Sequence, residues 1–294
     1  MILEVPIVYA FTDGQLGGNP AGIVLEAERF TNREKQRIAA TVGLSETAFV
    51  SRSNTADIKL EFFTPSQQIA HCGHATIATF SYLQQTGQLH KARTSKETID
   101  GRREIFMEGD MAYMEQKGPR YGSLESETLA DVLRALNIQK SDLIESIQPC
   151  VVNTGNSFLV VGLKDGDLVK KLSVDQKQIA QISEALDLIG FYVFAQLSAL
   201  KGRDAGARMF APRYGIEEEA ATGMAAGPLA CYLHDKMSVS GRELYIEQGH
   251  WMPTPSPSLI KVQLNVGEDG NIKGLFAGGR AELREAKRIE LGSS

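Results

Sequence analysis

The stretch Ile69-Ala70-His71-Cys72-Gly73-His74-Ala75-Thr76-Ile77-Ala78-Thr79-Phe80-Ser81-Tyr82-Leu83 decides the fold. Beyond His74 no charged residue appears as far as Gly87. A surface helix would interleave charges to make a polar face. This one has none, which predicts a helix over Gly73–Gln85 running through the middle of a domain. The free N–H groups at its N-terminus offer a place for an anion. The same design returns at Ala221-Thr222-Gly223-Met224-Ala225-Ala226-Gly227-Pro228-Leu229-Ala230-Cys231-Tyr232-Leu233. Gly73 aligns with Gly223, Ala75 with Ala225, Tyr82 with Tyr232 and Leu83 with Leu233, without a gap. Two buried helices that each open at a glycine predict two similar halves with a site between them.

Composition narrows the function classes. The 294 residues suffice for two ordinary domains, and 43% are hydrophobic, enough for two cores. A net charge of -5 argues against nucleic acid as the main partner, because phosphate binding needs a basic face. Cys72, Cys150 and Cys231 lack the spacing of a disulfide framework or a zinc motif. Met1 to Pro6 has no basic region or cleavage site of a signal peptide, and no apolar window is long enough to span a bilayer. A soluble cytoplasmic protein is expected.

Residues 2 to 11 predict a strand, Gly17-Gly18-Asn19-Pro20 a tight turn, and Ala21 to Leu25 another strand. Thr31-Asn32-Arg33-Glu34 is a capping box opening a helix that Gly43 ends. Leu44 to Val50 and Ile58 to Phe62 predict strands, as do Arg103–Met107 and Met111–Gln116. Leu129, Val132, Leu133 and Leu136 recur at helical spacing. The order then repeats. Gly155-Asn156-Ser157-Phe158 echoes Gly18-Asn19-Pro20-Ala21, and Ser173-Val174-Asp175-Gln176 predicts a second capping box. Ile189 to Ala195 stands where Leu44 to Val50 stood, which places Phe191 opposite Glu46. Met209-Phe210-Ala211-Pro212 matches Phe62-Phe63-Thr64-Pro65. Strands over Glu243–Gln248, Leu259–Val266 and Ile272–Ala277 close the chain. The expected class is α+β, with two pseudo-symmetric barrel-like domains, each a sheet wrapped around a central apolar helix. The expected division is 1–117 and 118–279, with the tail 280–294 returning to the first domain.

Together these residues resemble a known family. Gly-Gly-Asn-Pro-Ala-Gly, Leu-Ser-Glu-Thr, Phe-Phe-Thr-Pro, Cys-Gly-His-Ala-Thr, and Phe-Ala-Pro-Arg followed by Ala-Thr-Gly look like the PhzF-like (phenazine biosynthesis) proteins. That family is similar in fold to the diaminopimelate epimerases. The resemblance implies an isomerase that moves a proton between carbons without metal or organic cofactor, commonly as a homodimer. It makes Glu46 the catalytic acid/base and His74 an active-site histidine. Glu219 stands at the family's active-site Asp, and Met224 at a Ser whose hydroxyl it cannot supply. Met252-Pro253-Thr254-Pro255-Ser256 also departs from the usual Met-Gly-Arg-Pro-Ser. These departures weigh against strict phenazine-pathway activity.

The residues carry their own chemistry beside the resemblance. Glu46 lies among Leu44, Ala48, Phe49 and Val50, where lost hydration would raise its pKa; periodicity alone favours an edge carboxylate facing water, and the resemblance reverses that reading. His74 either holds and relays a proton for a substrate or lines a wall. Glu219 belongs to the run Glu217-Glu218-Glu219, usually a solvated loop. Gly73 and Gly223 let backbone approach a ligand, with Thr222 and Met224 beside them, and two helix N-termini would stabilise a carboxylate. Asn19 is a substrate contact or a plain turn residue. No Gly-x-Gly-x-x-Gly and no metal-ligand spacing point to a dinucleotide or an ion.

The expected activity is a cofactor-independent isomerase acting on a small carboxylate-bearing metabolite. Its rivals are an amino-acid racemase using two thiols, of which Cys72 is one and Ala220 replaces the other, and an inactive metabolite-binding protein.

Overall fold

The computed structural model describes residues 2–145, 147–197 and 202–290. The chain forms two compact units, Met1–Glu115 with Gly278–Ser294, and Gln116–Ala277. Both mix parallel and antiparallel strands with few helices, so the class is α+β. Residues 291–294 of the expected returning tail lie outside the described residues.

In the first unit, strand Ile2–Ala10 pairs antiparallel with Asn19–Val24, which pairs parallel with Glu46–Ser51. Ile58–Phe63 follows antiparallel, then Arg93–Thr98 parallel to it, then Gly101–Glu108 and Met111–Lys117 antiparallel in turn. The parallel step between Asn19–Val24 and Glu46–Ser51 requires a crossover, and helix Asn32–Val42 supplies it. That helix begins in a full capping box. The Thr31 hydroxyl accepts the Glu34 N–H at 3.3 Å, and the Glu34 carboxylate accepts the Thr31 N–H at 2.8 Å. Gly43, at φ 68°, ends it in the left-handed conformation. The core on this side joins Val5, Ile7, Ile38, Phe49 and Ile289.

Helix Gly73–Gln85 packs against strands Ile2–Ala10, Asn19–Val24 and Glu46–Ser51 and is buried along nearly all its length. Its two buried threonines do not break it, because each finds a backbone carbonyl one turn earlier. Thr76 and Thr79 donate to the carbonyls of Cys72 and Ala75, at 2.6 and 2.7 Å. A buried helix can therefore carry threonine without an unsatisfied group.

In the second unit Arg120–Ser123 and Ser157–Gly162 flank Cys150–Asn153 antiparallel. Gly190–Gln196 lies parallel to Ser157–Gly162, then Ala205–Ala211 antiparallel to it. Glu243–Gln248 runs parallel to Ala205–Ala211, and Ser258–Val266 antiparallel to Glu243–Gln248. From Cys150–Asn153 onward the succession of parallel and antiparallel steps is that of the first unit. Helix Gly223–Met237 is buried like its earlier counterpart and continues through Pro228. Gln116 anchors its start, donating to the Gly223 carbonyl at 2.9 Å while its own Oε1 accepts from Thr154 at 2.7 Å. A Cβ on Gly227 would lie 2.5 Å from that Oε1, so a larger residue would have to displace the Gln116 amide from these two bonds.

Three local expectations are corrected. Asn19 opens strand Asn19–Val24 instead of closing a turn; the reversal before it runs from Phe11 to Gly18, with Phe11, Gly14, Gly17 and Gly18 at φ 61°, 63°, 53° and 91° and an Asp13–Leu16 bridge within it. The second capping box is absent: Asp175, not Ser173, caps helix Gln176–Ala185 by accepting the Gln178 N–H. The Glu217–Glu219 run is not a loop but part of strand Ile216–Glu219. Within it Glu218 accepts two bonds from the Arg208 guanidinium, at 2.7 and 2.8 Å, and both side chains are nearly buried.

Candidate active site

Glu46 begins its strand beside Ala21, and the strand's inward face takes the carboxylate to 3% exposure. His74, in the first turn of helix Gly73–Gln85, is equally buried. Its Nε2 lies 3.2 Å from Glu46 Oε2, and its Nδ1 lies 3.6 Å from the Cys72 sulfur. The imidazole thus stands between a carboxylate and a thiol. The solvent-facing alternative for Glu46 is excluded.

The expected direction of the Glu46 shift is corrected. Burial pushes its pKa up, but attraction to His74, with hydrogen bonds from His74 and Ser45, outweighs this and holds it below the ordinary carboxylate value. Desolvation alone would make it an acid; its partner makes it a base at neutral pH.

Glu46, Cys72 and His74 each place a donor atom within 4.8 Å of the others, all buried. Sequence spacing could not show this, since Glu46 comes from another strand. The carboxylate lies nearest Nε2 and the thiol nearest Nδ1, so the imidazole can exchange a proton with Glu46 inside a compact buried group.

Sequence reasoning missed three residues beneath this cluster. Lys96, wholly buried, donates to Thr76 Oγ1 at 2.7 Å and lies 3.4 Å from His71 Nδ1. Arg93–Thr98 has no hydrophobic alternation, so nothing in it announced an interior strand.

Glu219, Thr222 and Gly223 lie together in the second unit. The Thr222 hydroxyl donates to the Glu219 carboxylate. Gln248, also unforeseen, fixes both: its Nε2 donates to the Glu219 carbonyl at 2.7 Å and to Thr222 Oγ1 at 3.2 Å. Its Oε1 accepts the Thr222 N–H at 3.1 Å and the Tyr192 hydroxyl at 2.8 Å. Burial first, then the Glu219 charge, pushes the Tyr192 phenol far above its ordinary pKa, so it stays a donor. Met224 is half-buried, with its sulfur 3.4 Å from Asn156 Nδ2. Asn19 is buried in the first unit.

The pairings also correct the partner assigned to Glu46. Ala21 pairs with Glu46, and its echo Phe158 pairs with Gly190, not Phe191. A Cβ at Gly190 would lie 2.2 Å from the Phe210 carbonyl oxygen, so that position admits no side chain at all.

Comparison with known proteins bears directly on this geometry. The family model described as phenazine biosynthesis-like protein matches residues 8–283. The chain belongs to that family. An uncharacterized isomerase of Clostridium acetobutylicum is 35% identical over 244 residues, covering 80% of this chain and 81% of its own length. The trans-2,3-dihydro-3-hydroxyanthranilate isomerase of Pseudomonas fluorescens is 31% identical over 265 residues, covering 87% of this chain and 89% of its own. Among solved structures, a PhzF family protein of Bacillus anthracis aligns with a TM-score of 0.89 at 25% identity, over 99% of this chain and 100% of that one. No helix among the described residues is long and apolar enough to cross a membrane.

Proposed function

We propose that this isomerase moves a proton between carbons of a small carboxylate-bearing metabolite without metal or organic cofactor. One observation carries the reading: the buried Glu46–His74 couple, at 3.2 Å. Glu46 is held ionised by His74, so its oxygen accepts a proton from a C–H bond next to an unsaturated or carboxylated carbon. The bonding electrons delocalise into the substrate. Glu46, now a neutral acid, then returns the proton at another carbon, and His74 stabilises the carboxylate before the first transfer and after the second.

The N–H groups at Gly73, at the start of a helix, would take the substrate's carboxylate. For Asn19, Glu219, Thr222, Gly223 and Met224 we assign substrate-binding roles, with Glu219 held in place by Gln248 and Thr222. The two units are read as duplicated barrel-like halves of a diaminopimelate epimerase-like fold. The recurring succession of strand pairings supports this reading.

A two-thiol racemase receives less support. Cys72 touches His74, but Ala220, where the second thiol would stand, is a buried apolar residue. The deciding experiment offers a panel of small unsaturated carboxylates in D₂O. Trans-2,3-dihydro-3-hydroxyanthranilate is included because the Pseudomonas fluorescens relative is named for it. Solvent deuterium or a shifted double bond in one of them, absent with Glu46→Gln, is the expected outcome. Turnover that survives Glu46→Gln would refute the assignment.

A further inference from the structure

Lys96 is 0% exposed, and among the described residues no carboxylate forms an ion pair with it. Its ammonium meets Thr76 Oγ1 at 2.7 Å and His71 Nδ1 at 3.4 Å, and lies 5.3 Å from the centre of the Phe62 ring. Arg103 stands directly opposite on strand Gly101–Glu108, and like charges so placed oppose strand pairing. The charged and titratable groups around it are therefore His71 and Cys72 before the helix, Arg103 across the sheet, and Asp100 in the turn. Asp100 is exposed, so it screens the ammonium poorly.

A buried cation without a paired anion costs several kcal/mol. The fold does not need one here. Ile58 pairs with Lys96 in the first unit, and in the matching step of the second Ala205 pairs with Ile246. An isoleucine serves in that place. The lysine instead sits under the turn that carries Cys72, Gly73 and His74, tied to it by a bridge. Lys96 donates to Thr76, and Thr76 donates to the Cys72 carbonyl at 2.6 Å.

We propose that Lys96 is a specificity-determining residue, whose buried ammonium, held to the Cys72–His74 turn through Thr76, makes that turn select a carboxylate over a neutral group. The proposal deepens the isomerase reading and rests on it for the identity of the ligand. The missing counter-ion of Lys96 is then the substrate's own carboxylate. Burial, with Arg103 adding to it against the pull of Cys72 and Asp100, brings the Lys96 pKa down to about 7. The selectivity should accordingly fade as pH rises through neutrality.

The test uses Cys72 as a reporter beside the turn. Iodoacetate and iodoacetamide both lose iodide to an attacking thiolate, so the ratio of their rates cancels the thiolate fraction and leaves the preference for the anionic reagent. Mass spectrometry follows Cys72, Cys150 and Cys231 in one sample. At pH 6 the iodoacetate-to-iodoacetamide ratio at Cys72 should be at least ~3-fold higher in the wild type than in Lys96→Met, a modest fraction of what one nearby charge can contribute. In the wild type the ratio should fall by a similar factor by pH 8.5, whereas Lys96→Arg should hold it constant. Equal ratios in the wild type and Lys96→Met overturn the proposal, as does a Cys72 that neither reagent reaches. If Lys96→Met does not fold, the wild-type pH profile decides alone, and a flat one overturns it. No turnover is needed, so a failed isomerase assay with an intact ratio would count against the reaction and not against Lys96.

Discussion

Glu46 shows how one neighbour reverses the chemistry of a residue. An apolar setting alone would keep its proton on; His74 and Ser45 keep it off. Glu46→Gln should therefore lower turnover at least ~100-fold, the usual weight of a positioned acid/base, while ligand affinity, followed by thermal shift, stays within ~10-fold. Lys96 makes the opposite case. Its folded pKa, about 7 against an ordinary 10.5, means the unfolded chain binds more protons between those values. Stability must then rise with pH across that window. Subtracting Lys96→Met isolates the contribution: denaturant titrations should show the wild type gaining on the variant from pH 7 to 10. At pH 6 the variant should be the more stable by on the order of 1–4 kcal/mol. A wild type that does not gain over that range would mean the ammonium is solvated in the folded chain.

At the scale of elements, the helices were legible and several strands were not. The capping box at Thr31 and the stop at Gly43 follow from side chains that bond only their own helix end, so a local reading suffices. Thr31→Ala should cost about 1 kcal/mol in a denaturation experiment. Arg93–Thr98 was hidden because Thr94, Ser95, Lys96 and Thr98 are polar and yet buried, and Ser95 and Lys96 find their partners far along the chain. Ser95, for example, bonds the Asp57 carboxylate from both its N–H and its hydroxyl. The candidate site divides in the same way. Glu46, His74 and Glu219 stood out in motifs, whereas Gln248 acts only through bonds to residues some 26 to 56 positions away. Gly249, next to it, has φ 80°, and a Cβ there would lie 2.1 Å from the Ser256 carbonyl oxygen. Gly249→Ala should therefore displace Gln248 and weaken substrate binding, raising KM more than it lowers kcat. An unchanged KM would remove Gln248 and the Glu219–Thr222 pair from the binding role.

At the scale of the whole chain, two units with matching strand order carry unequal chemistry. The first unit holds Glu46 against His74. The second has Gly190 in the matching pairing, where no side chain fits. A reaction that inverts one carbon needs a base on each face of the substrate. A shift between two carbons needs a single group that takes the proton and returns it on the same face. The asymmetry of the units thus argues for a shift. With a substrate that turns over in D₂O, deuterium should enter at the carbon that gains the proton, or the original hydrogen should be carried there if Glu46 is shielded from solvent during the exchange. Mass spectrometry and proton NMR of the product distinguish these two outcomes, and both fit one base. Free α-amino acids should keep their configuration under the same conditions. Racemisation of any of them at enzymatic rates, persisting in Glu46→Gln, would place a second base in the chain and make Cys72, the thiol already touching His74, the first residue to suspect.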